Sequence, residues 1–329
     1  MKNKTGVNWS QHQLVGRSPE FEAAITSANL IANLEVPVLL LGENGTGKEL
    51  FARAIHHNSK RRTHNFVALN CAAIPESLFE AELFGFRKGS FTSAERDYTG
   101  KILSANNGTL FLDEIAELTT SSQAKLLRFL ESSECQGIGQ ASSNIVNVRV
   151  IAATNQDLPG LIKEGKFRKD LYYRLNVVPL EMPPLRKRVD DISYLLDHLS
   201  CQSARKHNVE VPVYEKSVIR QLIQYDWPGN VRELRNFCER MVIYFSGRQV
   251  TLNDLPQEFF NAPDNETGNI FHTFLKLALP LHQFEKFIIN SALDETNGNQ
   301  SKAARMLGIS RDTLLYRIKK HDIKLKGTI

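Results

Sequence analysis

Gly42-Glu43-Asn44-Gly45-Thr46-Gly47-Lys48 follows directly on the apolar run Val36-Pro37-Val38-Leu39-Leu40-Leu41. An apolar strand that breaks into a glycine-rich loop and then a helix is the local architecture of a phosphate cradle. The glycines let backbone N–H groups turn inward. A helix predicted from Lys48 to His56 points the positive end of its dipole at the same place. Lys48 supplies the charge that reaches the β- and γ-oxygens of a triphosphate. The strict pattern has Ser or Thr after the lysine to hold magnesium, and here Glu49 stands there.

A second segment supports the same reading. Gly108-Thr109-Leu110-Phe111-Leu112 reads as another buried strand and delivers Asp113-Glu114 at its C-terminal end. Adjacent carboxylates at a strand end suit two jobs, one holding Mg²⁺ and the other polarising the attacking water. An acidic surface turn is the alternative for Asp-Glu alone. The strand–helix–strand spacing after the glycine-rich loop favours a nucleoside triphosphatase using Mg²⁺.

The 329 residues suffice for two or three domains. With 42% hydrophobic and 23% charged residues, the composition is that of an ordinary globular protein. No apolar run is long enough to span a membrane, and the polar start from Met1 to Gln13 has no secretory apolar core. Cys71, Cys135, Cys201 and Cys238 show no metal-like spacing and read as free thiols in a reducing cytoplasm. The net charge of +5 is unevenly placed. From residue 300 onward eight Lys or Arg stand against Asp312 and Asp322, a local excess that marks a nucleic-acid-binding end.

Residues 14–182 alternate strand-like and helical patterns, which predicts a parallel α/β sheet with strands at 37–41, 66–70, 108–112, 148–153 and 176–180. From Pro183 strands are expected to stop. Helices near 189–207, 215–225 and 230–245 then make an all-α lid over 183–258. A polar linker spans 259–279, with a helix from about Pro280 to Glu295 and a DNA-binding end completing 280–329.

With both nucleotide motifs placed, the chain resembles the bacterial enhancer-binding proteins, AAA+ activators of RNA polymerase carrying sigma-54. The resemblance rests on Gly42–Glu49, Phe66–Pro75, Glu82-Leu83-Phe84-Gly85, Gly108–Ile115, Ala153-Thr154-Asn155, Phe167–Asn176 and Trp227–Leu234. The family also carries glutamate at the position of Glu49. The resemblance implies that Gly42, Glu43, Asn44, Gly45, Thr46, Gly47, Lys48 and Glu49 hold the nucleotide. It implies Mg²⁺ on Asp113, water orientation by Glu114, and Asn70 placed to hydrogen-bond Glu114. Asn155 would contact the γ-phosphate or the water. Arg168 and Arg174 resemble arginine fingers reaching a neighbouring subunit, and Arg232 resembles the lid's sensor arginine. Fingers acting in trans require a ring, and the family forms hexamers.

The family's sigma-54 loop, Gly-Ala-Phe-Thr-Gly-Ala, reads Gly89-Ser90-Phe91-Thr92-Ser93-Ala94 here. Phe91 and Thr92, the contact tip, are retained. Serine at 93 replaces a glycine whose backbone freedom a loop tip uses. Phe91 reads either as that contact or as an aromatic anchoring a hairpin.

Residues 298–320 have a helix-turn-helix layout similar to the Fis-type domain of the same family. Ala303, Ala304 and Leu307 face inward, Gly308 turns the chain, and Ser310 caps a second helix whose Leu314, Leu315 and Ile318 pack back. Arg311, Asp312, Thr313, Tyr316, Arg317 and Lys320, with Ser310, are then available to double-stranded DNA. Such modules work as dimers on near-palindromic sites, with the 280–295 helix as the dimer contact. Only about thirteen residues precede Leu14, so the chain resembles the phage-shock-activator type, controlled by a separate regulatory protein or by its own abundance; the alternative is that an N-terminal domain has been removed. The rival expectation is a DNA-binding regulator of sigma-70 promoters that uses ATP as a ligand only, and Ser93 is what keeps it open.

Overall fold

The computed structural model describes residues 14–91, 94–260, 281–296, 299–321 and 323. The expectations that fall on the first thirteen residues, on Thr92 and Ser93, on 261–280 and on the final lysines lie outside the described residues. The chain divides into two compact units, up to Phe259 and from Phe260 onward.

The first unit is built on strands β1 (Val38–Leu41), β2 (Phe66–Asn70), β3 (Thr109–Asp113), β6 (Arg149–Thr154) and β7 (Val178–Glu181). They form one sheet in the order β2-β3-β6-β1-β7, every pairing parallel. Three strands read as unbroken apolar runs because both faces of the sheet are covered. Leu39, Leu110, Leu112, Val150 and Ala152 pack on one side with α3 (Glu76–Phe84), α5 (Thr120–Ser132) and α7 (Lys169–Leu175). Their neighbours Val38, Leu40, Phe111, Ile151 and Ala153 pack on the other with α1 (Pro19–Ala32) and α2 (Lys48–His57). Short helices α4 (Lys101–Ser104) and α6 (Leu158–Lys163) complete the layer.

The strands lie within two residues of their predicted ends. Helix α1 was not anticipated. It begins at Ser18, whose hydroxyl accepts the Phe21 N–H at 3.3 Å, with Pro19 at its first position. Between α5 and β6 an antiparallel pair, β4 (Glu134–Cys135) and β5 (Asn144–Ile145), was also missed. Two residues per strand give no periodicity to read.

The lid comprises α8 (Asp190–His207), α9 (Lys216–Gln224) and α10 (Asn230–Tyr244), all within two residues of expectation at each end. Fully buried Trp227 centres its core, packed by Tyr225, Phe237 and Phe259, and its indole N–H donates to the Leu222 carbonyl at 2.8 Å. The expectation that strands stop at Pro183 needs correction. β8 (Val213–Tyr214) pairs in parallel with β9 (Gln249–Val250), tying the α8–α9 link to the chain after α10.

The second unit holds α11 (Leu281–Glu295), α12 (Gln300–Met306) and α13 (Arg311–Lys320). Ile289, Ala292, Leu293, Ala303, Ala304, Leu314, Ile318 and Ile323 make its core. Gly308 takes φ +66 in the turn, and the Ser310 hydroxyl caps α13 by accepting the Thr313 N–H at 3.1 Å. Leu315 does not pack inward as expected. Leu314 and Ile318, four apart, fill the inward stripe, and Leu315 stands a residue round the helix at 37% exposure.

Candidate nucleotide site and DNA-binding unit

The loop after β1 turns through Gly45 at φ +80 and Gly47 at φ +98, backbone that side chains rarely adopt, and Gly47 caps α2. Lys48 is buried, and its Nζ donates to the carbonyls of Gly42 at 2.9 Å and Glu43 at 3.3 Å. Thr46 is buried and donates its hydroxyl to the Glu43 carbonyl at 2.8 Å. Glu49 pairs with Arg53 one turn along α2, at 2.7 Å.

Asp113 is the last residue of β3, and Glu114 follows in a left-handed conformation at φ +54. A non-glycine residue there costs on the order of 1 kcal/mol, strain of the kind that gathers where a side chain must be aimed. Burial raises both carboxyls above their ordinary values while Lys48 pulls them back down. Burial lowers the Lys48 ammonium, and Glu114 and Asp113 oppose that.

A cavity of about 250 Å³ opens over these groups, lined by Lys48, Glu49, Asp113, Glu114, Arg232 and Arg235 among others. A smaller, mostly apolar one sits on the other side of the loop, between Leu14, Val15, Phe21, Leu195 and Leu199. Gly47, Leu50, Val231 and Arg235 line both. The larger chamber, with Lys48 and Arg232 on its wall, suits a phosphate chain, and the slot adjoining it offers an apolar wall for a flat base. Among the described residues no cluster of three metal-ligating side chains exists. Magnesium suits such a site, because it takes one or two carboxylates and completes its shell with phosphate oxygens and water.

The raised carboxyls have a consequence for stability. Between their ordinary values and their raised folded values, the folded chain binds more protons than the unfolded one, so their contribution falls as pH rises through that window. Asp113→Asn is therefore expected to raise the melting temperature of the nucleotide-free protein at pH 7, by about 1–3 °C. The gain should fade as pH drops toward the ordinary carboxylate range. Thermal melts across pH test this, and a lower melting temperature for the variant at pH 7 would contradict it.

Residues 14–181 match the sigma-54 interaction domain, 186–269 the AAA+ ATPase lid domain, and 280–321 the Fis family of bacterial regulatory proteins. The chain belongs to the sigma-54-dependent AAA+ transcription activators. It is 43% identical over 314 residues to the transcriptional regulatory protein ZraR of Escherichia coli K12, a match covering 95% of this chain and 69% of ZraR. It is 42% identical to the regulatory protein AtoC of the same strain, over 96% of this chain and 69% of AtoC. The crystal structure of NtrX from Brucella abortus in complex with ATP is similar with a TM-score of 0.70 at 33% identity, covering 94% of this chain and 69% of NtrX. The activator is thus an ATPase that binds nucleotide and carries a DNA-binding module of the Fis type.

The other residues singled out in the activator's sequence fall into three groups. Asn70 and Asp113 are paired across β2 and β3. The expected bond from Asn70 to Glu114 is not formed among the described contacts. The Asn70 carboxamide oxygen instead accepts the N–H groups of Ala72 at 2.9 Å and Ala73 at 3.2 Å, capping the turn after β2. Asn155 is exposed just past the end of β6. Arg168 and Arg174 do not line the cavity of their own chain. Arg168 pairs with Asp170 at 2.7 Å, and Arg174 donates to the Leu130 carbonyl at 2.8 Å.

Phe91 is half-buried, its ring edge-on to Phe86 at 4.8 Å between centroids. Its carbonyl accepts the Ala94 N–H at 3.0 Å, closing the loop below its tip. Thr92 lies outside the described residues. On α13, Arg311, Asp312, Tyr316 and Lys320 are exposed and Thr313 is partly so. Arg317, expected to be available to DNA, is held by Glu285 of α11 at 2.6 Å, and His321 shares that carboxylate at 2.8 Å. No pattern within residues 298–320 could have revealed a partner on α11.

Sequence reasoning missed Arg235, Arg186 and Asn230. Arg235 lies three residues after Arg232 on α10 and so on the same face, a signal that was readable. Arg186 and Asn230 reach the glycine-rich loop across more than 140 intervening residues, which no local pattern reports.

Proposed function

We propose that this activator works as a DNA-bound, cytoplasmic homo-oligomer, from dimer to hexameric ring, in which ATP hydrolysis remodels sigma-54 RNA polymerase holoenzyme from closed to open promoter complex. The observation that carries the reading is a cleft gathering Lys48, Asp113, Glu114 and Arg232 while Arg168 and Arg174 stand outside it. One chain then holds all the parts except the fingers, which a neighbour supplies. The reading assigns 14–182 and 183–258 to the ATPase core and its lid, 259–279 to a linker and 280–329 to DNA binding. No helix among the described residues is long and apolar enough to cross a membrane.

In this reading Lys48 and the N–H groups of residues 42–49 hold the phosphates, and the slot by Leu14 and Leu199 takes the base. Asp113 would hold Mg²⁺, whose charge, when bound, neutralises the phosphate oxygens as bond cleavage proceeds. Glu114 orients the attacking water, Asn155 contacts the γ-phosphate or that water, and Asn70 fixes the turn behind Asp113. Arg168 and Arg174 from the adjacent subunit stabilise charge on the transferred group. Arg232 transmits occupancy to the lid. Ser310, Arg311, Asp312, Thr313, Tyr316 and Lys320 meet an upstream double-stranded site, while Arg317 stays on Glu285 and braces α13, and a separate regulatory protein supplies control.

Phe91 and Thr92 would carry the motion to sigma-54. Leaving its seat on Phe86 is what Phe91 must do to make that contact. Phe91→Ala is therefore expected to lower the number of open complexes formed per ATP hydrolysed by at least about tenfold, the loss of one central aromatic anchor. Parallel assays of turnover and promoter opening check this, and an unchanged ratio would remove Phe91 from the contact.

A further inference from the structure

The lid grips the glycine-rich loop at Glu43. The Glu43 carboxylate accepts two hydrogen bonds from the Arg186 guanidinium, at 2.7 and 2.5 Å, and a third from Asn230 Nδ2 at 3.1 Å. Arg186 lies in the turn Leu185–Lys187 that starts the lid, and Asn230 is the first residue of α10. Asn230 is fully buried, and its amide is fully engaged. Its Nδ2 also donates to the Asn44 carbonyl at 3.1 Å, and its Oδ1 accepts the Leu185 N–H at 2.7 Å. It holds φ +51, unusual for a helix start. Beside it the two backbones touch, since a Cβ on Gly45 would lie 2.2 Å from the Gly229 carbonyl oxygen.

Glu43 has a second attachment. Its own carbonyl accepts Lys48 Nζ at 3.3 Å and the Thr46 hydroxyl at 2.8 Å. One residue therefore bonds to the phosphate-binding lysine through its main chain and to the lid through its side chain. The hydrogen bonds from Arg186 hold the carboxyl below its ordinary value, so it is charged at neutral pH.

We propose that Glu43, Arg186 and Asn230 form a positioning relay that sets Arg232 and Arg235 over the phosphate cavity and moves them when an anion draws Lys48 off the Glu43 carbonyl. Arg232 and Arg235 sit two and five residues beyond Asn230 on one rigid helix, so the orientation of the α10 start fixes where both guanidinium groups stand. The Arg186–Glu43 pair is 41% and 40% exposed. Exposed pairs contribute little to global stability, whereas a contact bridging two movable parts sets their coupling. The inference rests on the reading that this cavity takes the phosphates of ATP.

The test uses the full chain, a fluorescent N-methylanthraniloyl-ADP probe, and hydrogen exchange of the amides over 229–236 with and without saturating ADP. In the unaltered protein, ADP is expected to slow exchange in that segment. In Glu43→Gln and in Arg186→Ala, ADP affinity is expected to fall roughly fivefold, at the low end of measured couplings. At saturating ADP the slowing should be lost, while the nucleotide-free melting temperature stays unchanged. Arg186→Lys, which keeps the charge but not the paired donors, should fall between. Slowing equal to that of the unaltered protein in both main variants would overturn the relay. Arg232→Ala separates the two layers of the argument. An unchanged ADP affinity there would remove the reading of the cavity itself, and the relay with it.

Discussion

Glu114→Gln is expected to lower the ATPase turnover number by about 10²-fold or more, the usual contribution of a positioned general base, while ATP affinity stays within about twofold. Glutamine keeps the size of the side chain but cannot accept a proton from water. The phosphates lose nothing, because Lys48 and the loop N–H groups hold them. The raised Glu114 carboxyl adds a second signature. The group acts only when ionised, so turnover in the unaltered protein should fall as pH drops through a value above the ordinary carboxylate one. That acid limb should be missing from the residual activity of the variant. Steady-state rates across pH, with equilibrium ATP binding alongside, check both halves. Loss of binding in step with turnover would mean that Glu114 holds nucleotide and does not act on water.

Arg168→Ala and Arg174→Ala are each expected to reduce turnover by about 10³-fold, the lower end of what an arginine finger supplies. Neither change should disturb the fold. Arg168 is an exposed residue paired with Asp170 at 2.7 Å, and Arg174 donates to the Leu130 carbonyl at 2.8 Å. The decisive version mixes chains. Arg174→Ala subunits have an intact phosphate site, and Lys48→Ala subunits have intact arginines. Each is inactive alone, yet a mixture places good arginines beside good phosphate sites and should regain a measurable fraction of the turnover. A mixture no better than its parts would show that the arginines act within their own chain or not at all.

These effects trace to residues whose roles differed in how legible they were from sequence. The glycine-rich loop and the Asp113-Glu114 pair could be placed on their strand ends because each is contiguous and follows an apolar run that both faces of the sheet require. The order β2-β3-β6-β1-β7 was not readable from such runs, since pairing partners are chosen by helices that cross from one side to the other. Ser310 announced its helix through its own cap, and the structure keeps that bond. Leu315 misled because an apolar residue beside Leu314 fits an inward stripe equally well on paper, and only the packing of α11 decides between them. Asn70 misled in another way. An asparagine at a strand end can serve a neighbouring carboxylate or cap its own turn, and two backbone N–H groups two and three residues on made the local choice. Arg186 and Asn230 were invisible because their partner Glu43 is distant in the chain. The two-residue pair β8–β9 escaped because nothing so short has a period.

ATP turnover at this cleft is proposed to drive promoter opening by sigma-54 polymerase. This coupling is tested most directly by measuring open complexes formed by purified sigma-54 holoenzyme on fully paired promoter DNA carrying the upstream site. The assay is run with and without this protein, and with ATP or a non-hydrolysable analogue. Opening is expected only with the protein and hydrolysable ATP together. Steady ATP hydrolysis with no opening would contradict it, and would leave a DNA-binding ATPase uncoupled from sigma-54.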